Sequence, residues 1–280
     1  MKLNVAIVCG GKSTEHEVSL CSARNIYEAL DRSRFDVTLV KVESDGTWRV
    51  LESIKSLEGG PGLPRLQQVQ SVAEERHQVL ATVSNREFAD RVDVVFPIIH
   101  GSFGEDGCLQ GFLRTLNIPF VGADVIGSAV GMDKDVMKRL LQQAGIPTPR
   151  FVAINRFKQR QFDYAILASQ LGGVLFVKPA NAGSSVGVSK VTTEKEYLSA
   201  VEKAFDYDDK ILIEEAIIGR ELECSVMGND DPVASVAGEV IPTDGFYSYE
   251  AKYIDENGAR LEIPANIPEE LSLQASQDGR

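Results

Sequence analysis

Ten residues near the middle of the chain, positions 178–187 with the sequence KPANAGSSVG, carry groups that can bind phosphate. Lys178 stands at the entry of this segment, and Ser184 and Ser185 are adjacent hydroxyls among small residues. A loop of small residues exposes backbone N–H groups, to which the hydroxyls and the ammonium add donors and positive charge. Apolar runs on both sides predict a strand, a loop and a strand, and polyphosphate fits that environment. The alternative is a polar hairpin with a solvated lysine.

Two other loops carry acids or a histidine. Glu15 precedes a predicted helix, where a carboxylate favours the positive end of the helix dipole. It either caps that helix or receives a ligand ammonium group. His100 and Glu105 lie in a loop with three glycines, 100–107 (HGSFGEDG), which also follows a predicted strand. A hydrogen-bonded histidine in an ordinary turn is the alternative there.

A lysine and an acidic connector complete the candidate groups. Lys134 begins a predicted helix, where its charge opposes the dipole and favours an anionic partner, although a solvated lysine is the alternative. Residues 211–221 (ILIEEAIIGRE) run from a strand into a polar link that includes Glu214 and Glu215. Such a link offers backbone groups to a flat base and acids to ribose hydroxyls, unless the acids are a solvated strand end. Two lysines, a hydroxyl loop and an acidic connector together fit ATP between two sheets.

The elements that must position these groups alternate between strand and helix. In the first third, the pattern predicts strands at 3–8, 35–42 and 92–99 and helices at 18–30 and 109–116. This alternation favours a parallel sheet covered by helices, in which ligands lie at the carboxyl ends of the strands. Gly10 and His100 both fall at that edge. Residues 53–91 are polar and irregular and are interpreted as a variable excursion.

The rest of the chain predicts a second α/β unit. Helices at 124–143 are broken near 131–133, so a domain boundary lies near 124–133. The predicted elements that follow are strands at 151–154, 175–178, 210–214 and 222–227, and a helix at 194–205.

Composition narrows the class of protein. The 280 residues are 43% hydrophobic and carry a formal net charge of -12, which argues against a nucleic-acid groove or an anionic membrane surface. The four cysteines are scattered without a C-x-x-C pair, so neither a zinc site nor a disulfide framework is indicated. No apolar stretch approaches the ~18 residues of a membrane span. We therefore expect a cytoplasmic protein with reduced thiols.

Two common nucleotide motifs are incomplete. The sequence Gly11-Lys12-Ser13 resembles the end of a P-loop, but the first glycine of that motif would fall at Ala6, inside a strand. The G-x-G-x-x-G spacing of a dinucleotide fold is also missing, because Thr14 follows where a further glycine is needed. Glu43, at the end of the second strand, keeps a dinucleotide-dependent oxidoreductase as a minor hypothesis.

Five ordered segments now give the chain a specific resemblance to the D-alanine:D-alanine ligase family of the ATP-grasp superfamily. These segments are GGKSTEHEVSL at 10–20, HGSFGEDGCLQG at 100–111, MDK at 132–134, the 178–187 loop, and FYSYEAKY at 246–253. The resemblance implies an N-terminal Rossmann-like domain at 1–124, a central ATP-grasp lobe at 125–214, and a partial C-terminal lobe with a lid loop at 215–280.

The resemblance also implies roles for particular residues. Glu15, Ser184 and Tyr253 would surround the first D-alanine, with His100 and Glu105 assisting at the same site. The residues implied for ATP are Lys134, Lys178 and Ser185 at the phosphates, and Glu214, Glu215, Ile217 and Glu221 around adenine and ribose. Tyr247 and Lys252 belong to the implied lid, with Lys252 reaching toward the transferred phosphate.

The implied reaction is an ATP-dependent ligation for peptidoglycan precursor synthesis. The carboxylate of one D-alanine attacks the γ-phosphate, and the amine of a second D-alanine then displaces phosphate from the acyl phosphate. Tyr253 replaces the histidine of family members that make a D-alanyl-D-lactate ester, which favours an amide product. The family further implies Mg2+ or Mn2+ and a homodimer.

One departure separates this sequence from the family pattern. The family's metal ligands, an Arg-x-Asp and a Glu-x-Asn pair, would lie beyond Arg280, so no metal ligand is assigned within the 280 residues. We therefore expect a fragment that lacks the catalytic C-terminal portion. A catalytically incomplete fragment that binds ATP without turnover is the alternative function.

Overall fold

The computed structural model describes residues 1–57, 91–243 and 258–278. Contacts between Cα atoms divide the chain into two compact units. Unit 1 comprises Met1–Met137 and Pro179–Ser184, and unit 2 comprises Lys138–Lys178 and Ser185–Arg280. The three-part division predicted from the sequence stays a prediction. Within the described residues, no helix is both long and apolar enough to cross a membrane.

Unit 1 is built on a four-stranded sheet in the order β3-β2-β1-β4. Its strands are β1 (Leu3–Gly10), β2 (Phe35–Val42), β3 (Trp48–Leu51) and β4 (Val94–Pro97). Strand β1 lies in the middle and runs parallel to both β2 and β4, which confirms the predicted parallel arrangement. Strand β3 was not predicted, and it pairs antiparallel with β2 at the edge.

Both faces of β1 are buried, which explains its continuous apolar sequence. Ile7 packs on one side of the sheet in a cluster with Leu20 of the first helix. Val8 packs on the other side in a cluster with Leu113 of the second helix. The helices contributed by this part of the chain are α1 (His16–Ala29), α2 (Cys108–Thr115), α3 (Val125–Met132) and α4 (Lys134–Gln143), after a short 3-10 helix at Ile54–Leu57.

The break between α3 and α4 occurs at Asp133, as the sequence predicted. Asp133 adopts an extended backbone conformation with φ -78° and ψ 98°. Its Oδ1 accepts hydrogen bonds from the backbone N–H groups of Asp135 at 3.1 Å and Val136 at 3.2 Å. An aspartate in this position satisfies amide groups that the first turn of α4 leaves unpaired, so Lys134 begins a new helix.

Unit 2 contains a four-stranded sheet in the order β5-β8-β6-β7. Its elements are β5 (Phe151–Asn155), a 3-10 helix (Arg156–Gln161), α5 (Tyr164–Leu171), β6 (Leu175–Pro179), β7 (Ser189–Val191), α6 (Glu194–Phe205) and β8 (Lys210–Glu215). Alternate residues of β8, Ile211 and Ile213, are fully buried in a core that includes Val201 and Phe205 of α6. This apolar core holds β8 in place, and the acids Glu214 and Glu215 lie at the end of that strand.

The remaining elements form small antiparallel sheets and a final helix. They are β9 (Glu221–Glu223), β10 (Val226–Met227), β11 (Val233–Ala234), β12 (Gly238–Pro242), β13 (Ala259–Glu262) and α7 (Glu269–Asp278). The single strand predicted at 222–227 is wrong, because β9 pairs with β12 whereas β10 pairs with β11. The change of partner occurs at Ser225, whose backbone N–H donates to Ser235 Oγ at 3.0 Å.

Candidate active site

Glu15 is buried in unit 1, with 3% of its surface exposed. Glu15 is the N-cap residue of α1, immediately before the first helical residue, but its side chain makes no capping hydrogen bond. Ser13 Oγ instead accepts a hydrogen bond from the Glu15 backbone N–H at 3.0 Å. Ser184 Oγ donates a hydrogen bond to Glu15 Oε1 across 169 residues of sequence. The capping interpretation is therefore wrong, and the carboxylate faces the 178–187 loop.

Two glycines form the walls around this carboxylate. A Cβ atom at Gly101 would lie 2.3 Å from Glu15 Oε2 and 2.7 Å from Ser13 Oγ. A Cβ atom at Gly183 would lie 3.0 Å from Glu15 Oε2. Gly101 also has a φ of 72°, which disfavours a side chain. The backbone thus approaches Glu15 more closely than any other residue type allows.

The 178–187 loop has an unusual backbone conformation at its two hydroxyl residues. Ser184 has a φ of 49° and Ser185 a φ of 61°, both in the left-handed region. Such conformations at residues other than glycine cost about 1–3 kcal/mol each and persist where the surroundings hold them. The bond from Ser184 to Glu15 is one such restraint. Left-handed serines therefore orient hydroxyls in a loop whose sequence alone predicts only small polar residues.

Lys134 contacts the same loop within unit 1. Its Nζ donates to the Ala182 carbonyl at 2.6 Å, and its backbone N–H donates to the Ala180 carbonyl at 3.1 Å. The solvated-lysine alternative is therefore wrong. The positive charge of Lys134 therefore lies against the small residues of the loop.

His100 and Glu105 are brought together with a third residue that the sequence did not single out. His100 Nδ1 lies 3.8 Å from Glu105 Oε1, and His100 Nε2 lies 3.0 Å from Ser22 Oγ. Glu105 Oε2 accepts a hydrogen bond from the Gly101 backbone N–H at 2.7 Å. Burial raises the pKa of Glu105, but its interactions with His100 and Gly101 outweigh that effect and the net pKa is lowered. The carboxylate is therefore held in its charged form.

A cavity of about 460 Å³ in unit 1 is bordered by four of these residues, His100, Glu105, Lys134 and Gly183. Its wall also includes Gln110, which is 6% exposed. Gln110 Nε2 donates to the Gly104 carbonyl at 2.8 Å, whereas its Oε1 accepts no hydrogen bond from the described residues. The predicted substrate residues His100 and Glu105 therefore border the same cavity as Lys134.

In unit 2, the acid Glu214 is shared by two lysines. Lys178 Nζ lies 2.5 Å from Glu214 Oε2, and Lys138 Nζ lies 3.0 Å from Glu214 Oε1. The side chains of Glu214 and Lys138 are 4% and 8% exposed, so the interpretation of Glu214 as a solvated strand end is wrong. The loop does connect two antiparallel strands, β6 and β7, as the hairpin alternative predicted. Lys178 is only 22% exposed and is paired with Glu214, so the solvated lysine of that alternative is wrong. The sequence patterns did not single out Lys138, because a lysine on a helix is ordinarily exposed to solvent.

The second acid of the connector, Glu215, is also paired, whereas residues 217–221 are exposed. Arg150 Nε donates to Glu215 Oε2 at 2.7 Å, and the Arg150 backbone N–H donates to Glu215 Oε1 at 2.7 Å. These bonds lower the pKa of Glu215. Ile217 is 65% exposed, and Glu221 is an exposed residue of β9. Beyond Glu215 the connector therefore presents apolar and acidic groups to solvent.

Three predicted residues, Tyr247, Lys252 and Tyr253, lie outside the described residues. Ser185 lies inside unit 2 and has the left-handed backbone described above. Within the described ranges, no group of three or more His, Cys, Asp or Glu side chains could hold a metal ion.

Comparisons with known proteins identify the family to which the chain belongs. Two family models match the chain, "D-ala D-ala ligase N-terminus" over residues 4–123 and "D-ala D-ala ligase C-terminus" over residues 140–278. A D-alanine--D-alanine ligase of Shouchella clausii (strain KSM-K16) is 52% identical over 277 residues, which cover 97% of this chain and 75% of that protein. D-alanine--D-alanine ligase A of Escherichia coli (strain K12) is 49% identical over 280 residues, or 97% of this chain and 76% of that protein.

Solved structures give the same result for the fold. The D-alanine-D-alanine ligase from Coxiella burnetii matches this chain with a TM-score of 0.75 and 32% sequence identity. The match covers 99% of this chain and 76% of the chain of that ligase. The VanG D-Ala:D-Ser ligase from Enterococcus faecalis matches this chain with a TM-score of 0.77 and 30% sequence identity. The match covers 99% of this chain and 81% of the chain of that ligase. The α/β fold is the ATP-grasp fold of these enzymes, and the chain belongs to the D-alanine–D-alanine ligase family.

Proposed function

We propose that this protein joins two molecules of D-alanine with the consumption of ATP, for the synthesis of peptidoglycan precursors. The first carboxylate attacks the γ-phosphorus while the bond to ADP breaks, giving D-alanyl phosphate. The amine of the second D-alanine then attacks the carbonyl carbon, loses a proton, and expels inorganic phosphate. The identity of 52% to a D-alanine--D-alanine ligase carries this proposal. The alternative of an ATP-binding fragment without turnover is not favoured by these relatives.

In the proposed site, Glu15 binds the ammonium group of the first D-alanine. The support is a buried carboxylate that is already oriented by Ser184 and enclosed by Gly101 and Gly183. A buried carboxylate is costly without a cationic or hydrogen-bonding partner, so an ammonium group is a favourable ligand for it. Ser184 holds the carboxylate in the orientation needed to bind that group.

His100 and Glu105 assist at the amino-acid end of the site in this proposal. The pKa of Glu105 is lowered, and its Oε1 lies 3.8 Å from His100 Nδ1, so the two side chains are already held close together. His100 borders the cavity, and an imidazole N–H that donates a hydrogen bond is suited to the carboxylate of an amino acid. This role requires no proton transfer by the histidine.

ATP binding is implied by family membership, and we propose the residues that provide it. Lys134, Lys178 and Ser185 contact the phosphates. Glu214, Glu215, Ile217 and Glu221 surround adenine and ribose. The support in unit 2 is a cationic pair of lysines at Glu214 and an exposed apolar residue at position 217.

Three residues outside the described ranges keep their proposed roles through the family resemblance. Tyr253 completes the group around the first D-alanine. Tyr247 and Lys252 belong to a lid that excludes water, because water would hydrolyse the acyl phosphate before the second amine attacks.

We further propose Mg2+ or Mn2+ as the counter-ion of ATP, a homodimer, and a cytoplasmic location. The described acids do not form a metal-binding cluster, so no step above passes through the metal. Sedimentation of the purified protein tests the dimer: a species of twice the 30.6 kDa chain mass supports it.

The central experiment measures phosphate release with ATP and D-alanine added separately and together. We expect release only when both are present, and D-alanyl-D-alanine as the product. Glu15→Gln should reduce kcat/KM for D-alanine by about 10- to 100-fold, because hydrogen bonds to charged groups contribute about 1.5–3 kcal/mol. Glu17→Gln, two residues further along, is the matched control and should leave it unchanged. Phosphate release that ignores D-alanine in the wild type would contradict the proposed function.

A further inference from the structure

Lys138 is a buried lysine for which the proposed reaction assigns no role. It lies on α4 with only 6% of its surface exposed. Its ammonium lies 3.0 Å from Glu214 Oε1, 3.4 Å from the Pro149 carbonyl and 5.2 Å from the centre of the Phe151 ring. A buried ammonium is retained only where it is well compensated, so these three contacts fix its position. Because it is shielded from solvent, Lys138 itself is poorly placed to touch a ligand.

The charges around Glu214 do not cancel. Lys138 and Lys178 each contact one oxygen of the same carboxylate, and no other described acid forms an ion pair with either lysine. Two ammonium groups and one carboxylate carry a net charge of about +1 at neutral pH. The neighbouring acid, Glu215, is paired with Arg150 and therefore adds no net charge. The cluster is thus cationic in an otherwise acidic protein.

The position of the excess charge follows from exposure. Lys178 is 22% exposed, whereas Lys138 and Glu214 are 8% and 4% exposed at their side chains. Without Lys138, the carboxylate would interact with Lys178 alone, and its negative charge would offset the attraction of Lys178 for an anion. With Lys138 present, the negative charge of Glu214 is already neutralised by the buried ammonium of Lys138.

We propose that Lys138 is a positioning residue for ATP: it compensates Glu214 from inside unit 2, so that the charge of Lys178 remains available to the polyphosphate. This inference rests on the proposed function, in which Lys178 contacts the phosphates. Lys138 acts through Glu214 and touches no substrate atom.

The test is the ratio of ATP affinity to adenosine affinity, measured by calorimetry on the 280-residue protein. Adenosine lacks phosphates, so the ratio removes any effect of a substitution on the base and ribose contacts. Lys138→Met removes the charge and keeps a long side chain. We expect it to weaken ATP binding by about 10- to 100-fold and adenosine binding by less than about threefold. Lys138→Arg keeps the charge and should keep the ratio.

Two further variants separate charge from folding. Glu214→Gln leaves both lysines uncompensated and should raise the ratio above that of the wild type. The double variant Lys138→Met/Glu214→Gln restores the net charge of the cluster and should return the ratio to the wild-type value, even if the single Lys138→Met protein is unstable. Lys195→Met removes an exposed lysine of α6 and is the matched control for overall charge.

An unchanged ratio in Lys138→Met, or equal losses for ATP and adenosine, would overturn the role of Lys138. A double variant whose ratio stays well below that of the wild type would also overturn it. These results differ from failure of the proposed function, in which the wild-type protein itself would bind ATP no better than adenosine.

Discussion

The close approach of Gly101 to Glu15 leads to a prediction about a single methyl group. Gly101→Ala would place a Cβ atom 2.3 Å from Glu15 Oε2 and 2.7 Å from Ser13 Oγ. Ordinary van der Waals contact begins near 3.4 Å, so the carboxylate or the loop must move by about 1 Å. Neither neighbour moves freely, because the Glu15 side chain is buried and Ser13 Oγ accepts a hydrogen bond from the Glu15 backbone N–H.

The expected cost has two parts. A residue with a Cβ atom in the left-handed region costs about 1–2 kcal/mol. Overpacking at a filled position adds about 1–3 kcal/mol. Gly145→Ala is the matched control, since Gly145 has a similar φ of 79° but no atom within 4 Å of the place that a Cβ atom would occupy. The control should therefore show the first cost alone.

Urea unfolding and steady-state kinetics measure the two consequences. Gly101→Ala should lose more unfolding free energy than Gly145→Ala by about 1–3 kcal/mol. It should also reduce kcat/KM for D-alanine by about 100-fold, because a displacement of about 1 Å at a positioning group has effects of that size. Gly145→Ala should leave this constant nearly unchanged. Equal losses of stability in the two variants, with unchanged kcat/KM for D-alanine, would refute the inferred enclosure of Glu15.

Two further predictions concern stability. The pKa of Glu105 is lowered in the folded state, so its stabilising contribution is present above the unfolded pKa and is lost as pH falls through the lower folded pKa. The wild type should therefore exceed Glu105→Gln in unfolding free energy at pH 7, and the difference should shrink as the pH is lowered below the unfolded pKa of glutamate. A difference that grows on acidification would contradict this. Thr193→Ala should cost about 1 kcal/mol in urea unfolding, because Thr193 and Glu196 form a reciprocal capping box at the start of α6; Ser199→Ala, on the exposed surface of α6, should change it by less than about 0.5 kcal/mol.

Local sequence patterns predicted much of the fold. The helix Glu194–Phe205 and the strand Phe35–Val42 were predicted with the bounds that the structure has. The helix has a capping box and apolar residues at helical spacing, and the strand is a run of mostly apolar and β-branched residues. The edge strand Trp48–Leu51 was missed because half of its four residues are exposed and no long apolar run marks it. The split at Ser225 was missed because only the choice of partner strand defines it.

The candidate site was predictable where motifs carry it and not where it depends on burial. The sequence selected Glu15 and Ser184, but a contact across 169 residues came only from the family resemblance. Lys138 was missed because a lysine on a helix is ordinarily exposed, and nothing local shows that Glu214, far along the chain, is its buried partner. Long-range compensation of charge is a property of the packed structure.

The two bonds between Lys134 and the small loop have a kinetic consequence. The backbone N–H of Lys134 donates a hydrogen bond to the Ala180 carbonyl, and its ammonium donates one to the Ala182 carbonyl. The start of α4 is therefore linked to the loop through both its main chain and a side chain. Displacement of the loop from this helix end is therefore a transition that requires both bonds to break, one on the main chain and one on the side chain. Hydrogen exchange at the Lys134 amide would report the frequency of that transition, and a nucleotide that competes for the ammonium would change it.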